Sequence, residues 1–173
     1  MIDLVRKRRS IRKFTEEPIS QQDRDLLAEA LLRSPTSRNF RPLEFVFVDD
    51  PQLLAALSTA KPHGASFLKE AALAIVICAD ETKSDVWVED CSIAAILLQM
   101  TAQSLGLGSC WAQIRLRNHN EKLSAEQFVQ KTLQLPEKTR VDMIIGIGHP
   151  DEKREPLPVD ELNYGKVHYN KFT

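Results

Sequence analysis

From Ile93 the chain reads Ile-Ala-Ala-Ile-Leu-Leu-Gln-Met-Thr-Ala, which is apolar nearly all the way round a helix. A surface helix shows a single apolar stripe, so this one must be covered on every side. At 173 residues the chain is long enough for one domain, spanning 1–173, that buries about two thirds of its unfolded surface. Within so small a domain the outer face of the helix has two possible covers, its own chain or a second copy. The second copy is the simpler solution and predicts a homodimer with this helix at the interface.

Helix and strand signals alternate along the rest of the chain, joined by short connections. A short helix is predicted from Asp3, as N-cap, to about Arg8. Ser20, after Pro18, opens a helix with Leu26, Leu27, Ala30 and Leu31 on one stripe, which ends near Ser34-Pro35. Glu44 to Val48 reads as a strand, and Asp50-Pro51 as a helix start with proline at the first helical position. Leu73 to Ala79 and Met143 to Gly148 are near-continuous apolar runs, as expected of strands covered on both faces. Ser124 and Gln127 have capping-box spacing for a helix that stops before Pro136. Periodicity alone therefore points to a doubly wound parallel sheet between helical layers.

Charge is balanced overall, with 23 Lys and Arg against 24 Asp and Glu, which argues against nucleic acid or an anionic membrane as partner. Against this background Arg6-Lys-Arg-Arg-Ser-Ile-Arg-Lys13 places six cations in eight positions. Arginine forks match phosphate oxygens bidentately and Ser10 adds a hydroxyl, so the segment suits a phosphorylated small molecule. A solvated basic face, a nuclear localisation signal and a nucleic-acid patch remain alternative readings of the charge alone.

Cys78, Cys91 and Cys110 are widely spaced and odd in number, which fits small core residues in a reducing compartment. No histidine has a second ligand at metal spacing, so no metal is expected. Met1 to Phe14 lacks the apolar run of a secretory signal, and the Ile93 helix is too short to span a bilayer; cytoplasmic residence is the expectation. Gly106-Leu-Gly108 leads from helix to strand, the reverse of a dinucleotide fingerprint, and Gly106 reads as a helix C-cap. Gly146-Ile-Gly148 runs into His149-Pro150, where no helix can open.

Four motifs stand in a shared order: Arg8-Arg9-Ser10-Ile11-Arg12-Lys13-Phe14, Ser34-Pro-Thr-Ser-Arg-Asn39 with Pro42, Gly106-Leu-Gly-Ser-Cys-Trp111, and Gly146-Ile-Gly-His-Pro150 with Lys153-Arg154. Together, over nearly the whole chain, they resemble the FMN-dependent nitroreductase family. The resemblance implies a three-layer α+β fold with a mostly antiparallel central sheet flanked by helices. It also implies a homodimer with swapped terminal segments and FMN sites at the interface. This replaces the parallel sheet that periodicity suggests.

Carried over by position, the resemblance assigns the FMN phosphate to Arg8 and either Lys153 or Arg154, and the ribityl and ring edge to Ser10 and the Arg9 backbone. Arg12 matches a cation near flavin N1 and O2, where negative charge develops on reduction. Pro35, Thr36, Ser37 and Asn39 would come from the partner subunit, with Trp111 to Gln113 near the ring. Trp111 reads equally well as a core residue. The family usually carries glutamine and tryptophan around the proline after Asn39, whereas here Arg41 and Leu43 flank Pro42. Arg41 suits an acidic substrate or the phosphates of NAD(P)H, and His63 and Gly64 are candidate substrate contacts at an open pocket mouth.

The implied activity is NAD(P)H oxidation coupled to reduction of nitroaromatic, quinone or similar acceptors, by ping-pong hydride transfer through flavin N5. No side chain is required as general acid or base. NAD(P)H would bind transiently, which agrees with the missing dinucleotide fingerprint. A different redox task on the same cofactor, or a non-catalytic flavin-binding or regulatory role, is the alternative.

Overall fold

The computed structural model describes residues 1–172; Thr173 lies outside the described part. Its elements in chain order are α1 (Ile2–Lys7), α2 (Gln21–Leu32), β1 (Leu43–Val48), α3 (Pro51–Leu57), β2 (Leu73–Asp80), α4 (Trp87–Ser104), β3 (Gly108–Gln113), α5 (Ala125–Leu133) and β4 (Thr139–Gly148). The strands form one sheet in the order β1-β2-β4-β3, and every neighbouring pair is antiparallel. A doubly wound parallel sheet is therefore not what this chain forms, and the antiparallel expectation holds. The apolar runs reflect burial on both faces, which a sheet acquires from two helical layers whatever the direction of its strands.

Strand alternation divides the core in two. Leu73, Ile75 and Ile77 of β2 and Met143, Ile145 and Ile147 of β4 face α2 and α4, where Leu27, Leu31, Ala95 and Leu98 meet them. Ala74, Val76, Cys78 and Ile144 face the other way, against Leu54 and Leu57 of α3 and Ala125 and Val129 of α5. The result is three layers, helix on sheet on helix. Ile75 and Ile145 are fully buried, and truncating either to alanine costs roughly 2–5 kcal/mol.

Local chemistry accounts for the helix ends. The Ser20 and Asp50 side chains accept backbone N–H bonds at the starts of α2 and α3, and Ser124 with Gln127 completes the capping box of α5. After α4 the Leu107 N–H reaches the Ala102 carbonyl and the Gly106 N–H that of Gln103, a Schellman turn that needs the positive φ of Gly106, 77°. Two details differ from the expectation. Met1, not Asp3, sits at the N-cap of α1, and Asp3 lies in the first turn, paired with Arg6 at 3.2 Å. Leu26 turns outward on α2, because Leu27 and Leu31 already fill the stripe against α4.

Helix α4 is not enclosed by its own chain. Ile93 and Ile96 on its outer face are 39% and 44% exposed, while Ala94, Ala95 and Leu98 on the inner face are fully buried. Beyond Asp151 the chain runs over the surface with nearly every residue exposed, including Leu157, Tyr164 and Tyr169. No helix among the described residues is long and apolar enough to cross a membrane.

The segment after α1 is placed by two glycines. A Cβ at Gly108 would come within 2.9 Å of Ile11, and one at Gly148 within 2.9 Å of Phe14. Only glycine lets the N-terminal segment lie this close to the adjacent ends of β3 and β4.

Candidate functional site

Residues 10 to 15 bridge β3 and the end of β4. Ser10 pairs with Ser109, with the Ile11 N–H donating to the Ser109 carbonyl at 3.0 Å. Phe14 pairs with Pro150, through a Thr15 N–H to His149 carbonyl bond at 2.9 Å, and the Asp151 N–H reaches the Lys13 carbonyl at 2.9 Å. Ile11 and Phe14 turn into the core, which leaves the polar residues between and before them on the outside.

There Arg8, Arg9, Ser10, Arg12 and Arg154 line one cavity of about 380 Å³. Glu152 organises it from below, with its side chain 11% exposed. One carboxylate oxygen accepts the backbone N–H groups of Arg12 at 2.6 Å and Lys13 at 3.2 Å, and the other accepts from Arg154 at 2.7 Å. These bonds hold the Glu152 carboxyl below its ordinary range, the Arg12 N–H being the largest cause. Among the described residues no carboxylate lies within ion-pair distance of the Arg8, Arg9 or Arg12 guanidinium groups. The cavity is thus a concentration of uncompensated donors with one arginine fixed in place, a donor set that fits a phosphate.

Cys110 lies under this cavity. Burial pushes its thiol up, while the nearby Arg12, Ser10 and Arg8 pull in the opposite direction. Lys61 does not line the cavity but lies within electrostatic reach of Cys110; burial first, and then the Arg117 charge, lower its pKa. Its ammonium folds over Gly64, where an added Cβ would stand 3.6 Å away. Lys61, Arg117 and Glu152 were not predicted from the sequence. The available signal for Lys61 was its place beside His63 and Gly64; Glu152 gives none, because, apart from Arg154 two positions on, its partners are backbone groups far away in the chain.

The other predicted residues lie elsewhere. Lys153 points outward, paired with Glu155 at 3.0 Å, so Arg154 is the one that joins the cavity. Trp111 packs toward α2 and α4, and its indole N–H donates to the Gln113 amide oxygen at 3.0 Å. The Gln113 NH₂ group donates to the Asp142 carboxylate and to the Asp142 and Arg115 carbonyls, each at 3.3 Å. Burial raises the pKa of Asp142, and the Gln113 bond partly offsets this. Both side chains are therefore engaged within the protein, leaving the β3 backbone as the part of Trp111 to Gln113 that can face a ligand.

Pro35, Thr36, Ser37, Asn39 and Arg41 form a loop tied to the start of α4, and none of them lines the arginine cavity of the same chain. The Ser37 N–H donates to the buried Asp90 at 2.9 Å, and Arg38 pairs with Asp85. His63 and Gly64 are exposed on the loop that carries Lys61. No cluster of residues able to hold a metal occurs among the described residues.

A family model described as the Nitroreductase family matches residues 5–61 and 57–149. The chain belongs to the nitroreductase family. Among solved structures, this nitroreductase-family chain superposes on the FMN-dependent nitroreductase of Clostridium difficile R20291 with a TM-score of 0.98 and 43% identity, covering 99% of this chain and 100% of that one. The NADPH:FMN oxidoreductase of Vibrio harveyi, solved in complex with NAD+, superposes with a TM-score of 0.81 at 26% identity, over 99% of this chain and 77% of that one. A relative from Archaeoglobus fulgidus, provisionally named an NADH dehydrogenase/NAD(P)H nitroreductase, is 31% identical over 99% of this chain and 98% of its own length.

Proposed function

We infer that the protein is an FMN-dependent NAD(P)H oxidoreductase, reducing nitroaromatic, quinone or similar acceptors. The observation that carries the reading is the cavity of Arg8, Arg9, Ser10, Arg12 and Arg154, whose donors outnumber the carboxylates near them, in a chain so similar to a protein named for FMN. A phosphate monoester is the anion this set fits. FMN held there would supply the redox chemistry, the carriage of two electrons and a proton between the reduced nicotinamide and the acceptor.

The protein's part is to bind and orient. Arg8 and Arg154 would hold the phosphate, with Arg154 already aimed by Glu152. Ser10 and the Arg9 backbone would follow the ribityl chain, and Arg12 and Lys61 would place positive charge where the ring gains electrons. The β3 backbone between Trp111 and Gln113 offers the remaining polar groups. No side chain is required to move a proton, and the nicotinamide nucleotide and the acceptor would occupy one open space in turn.

A homodimer completes this reading. The exposed Ile93 and Ile96 of α4, the exposed Ile2 and Val5 of α1, and the apolar residues of the segment after Asp151 all need a cover that the single chain does not provide. A second copy supplies it, and brings Pro35, Thr36, Ser37 and Asn39 toward its partner's flavin.

The visible spectrum of the purified protein, recorded without air before and after NADPH or NADH, tests the proposal. FMN bands that bleach on addition of either nucleotide are expected. A protein that stays colourless after incubation with FMN would overturn it.

A further inference from the structure

The loop between α2 and β1 holds more conformational strain than any other short segment described. Arg38, Asn39 and Arg41 have φ of 50°, 56° and 48°, three non-glycine residues in the left-handed region within four positions. Such backbone persists only where its surroundings fix it, and it gathers at functional sites. Here the fixing contacts are visible. The Ser37 N–H is held by Asp90, which is 2% exposed and also accepts from Ser84; the Asp80 N–H holds the Pro42 carbonyl at 2.9 Å. Within the loop, the Arg41 N–H donates to the Thr36 hydroxyl at 3.0 Å.

The loop carries two arginines in opposite electrostatic states. Arg38 is neutralised by Asp85 and lies over the Phe40 ring, 4.7 Å from its centroid. Arg41 instead donates its Nε–H to the neutral amide oxygen of Asn39 at 2.9 Å, and among the described residues no carboxylate lies within ion-pair distance of it. One edge of the guanidinium is thereby pinned, while its two terminal nitrogens remain available on an exposed side chain. A cation held by a neutral anchor keeps its full charge and loses little freedom on binding, which is the arrangement that favours a carboxylate or a phosphate.

We propose that Arg41 is the anion-recognising residue of the substrate pocket, selecting a small molecule with a carboxylate or phosphate group. The proposal rests on the reading above, in which the neighbouring Thr36 to Asn39 line the partner's flavin. The oxyanion has two possible sources, the acceptor or the 2′-phosphate of the reduced nucleotide.

The test compares FMN-loaded wild type with Arg41→Gln and Arg41→Lys in steady-state kinetics on two matched pairs, 4-nitrobenzoate against 4-nitrobenzamide and NADPH against NADH. Within one pair, Arg41→Gln is expected to lower the ratio of kcat/KM for the charged over the less charged partner about ten- to a hundredfold. Arg41→Lys should recover part of that ratio, keeping the charge without the fork. A change in the acceptor pair assigns the anion to the acceptor, and one in the nucleotide pair assigns it to the 2′-phosphate. Both ratios staying within twofold of wild type, in a variant with normal FMN bands, would overturn this proposal and leave the FMN reading standing. A wild type that binds no FMN would overturn both.

Discussion

Glu152 and Arg12 stand 140 positions apart in the chain, yet the Arg12 backbone N–H donates to the Glu152 carboxylate at 2.6 Å. Through its other oxygen the same carboxylate holds Arg154, so a single side chain joins the two ends of the basic cavity. Each end contributes cations, and the carboxylate adds a side-chain tie to the backbone bonds that already join Lys13 to Asp151 and Thr15 to His149.

Glu152→Gln therefore weakens FMN binding. The neutral amide cannot replace a carboxylate that accepts two backbone N–H groups and a guanidinium, and the FMN dissociation constant is expected to rise about tenfold. The pH dependence has a definite sign. The folded Glu152 carboxyl titrates below its ordinary value of 4.5, so its contribution is complete above 4.5 and is lost as pH falls through the depressed value. Titrating bound-flavin fluorescence at falling pH should show release of FMN in that acid range for wild type. A Glu152→Gln protein that binds FMN as tightly as wild type at neutral pH would remove the clamp role.

Arg8 is tested by changing the ligand instead. Its guanidinium has no carboxylate partner among the described residues, and its assigned target is the phosphate. Arg8→Gln should weaken FMN about tenfold or more, while riboflavin, which has no phosphate, loses far less. Equilibrium dialysis with both flavins gives the comparison; an equal loss for the two would place Arg8 elsewhere.

Lys61 makes a prediction at the alkaline end. Burial, and then the Arg117 charge, lower its pKa from the ordinary 10.5 in the free protein, so it loses its proton at a lower pH than an ordinary lysine. An anionic flavin favours the charged form, so above that lowered value binding must take up a proton. FMN affinity is thus expected to be flat below the lowered pKa and to fall as pH rises above it. Calorimetry in buffers of different ionisation enthalpy measures the proton uptake. Lys61→Met should abolish it, and wild-type binding without proton uptake across that range would contradict the assignment.

What the sequence disclosed and what it concealed divide along physical lines. Arg8, Arg9, Ser10 and Arg12 were readable because they are neighbours, and their chemistry is evident from composition alone. The helix ends at Ser20, Asp50, Ser124 and Gly106 were readable because a cap is a contact within a few residues. Strand direction was not, since the runs at Leu73 and Met143 encode burial of both faces and carry no sign of their neighbours' orientation. Glu152 was hidden among exposed charges because the partners that bring it to the cavity, beyond nearby Arg154, are main-chain groups at Arg12 and Lys13. Trp111 and Gln113 could be placed on β3, but only the structure shows that their side chains bond to each other and to Asp142. Ile93 and Ile96 sit between these cases: the all-round apolar pattern announced that something must cover them, and the single chain shows that it does not do so itself.

That uncovered face yields the most direct test of assembly. Ile96 is 44% exposed in the single chain, so a charge there does not enter the chain's own core and Ile96→Glu should fold normally by circular dichroism. In a dimer packed through α4 the same carboxylate would be buried without a partner, at a cost of roughly 3–5 kcal/mol, weakening association a hundredfold or more. Light scattering of wild type is expected to give twice the mass of the chain, and Ile96→Glu the mass of one chain at micromolar concentration. Because the loop from Pro35 to Asn39 is assigned to the partner's flavin, the monomeric variant should also lose bound FMN, although every residue of its own arginine cavity is intact. A wild type that is monomeric, or an Ile96→Glu protein that remains dimeric, would remove α4 from the interface; a monomer that keeps its flavin would show that one chain completes the site.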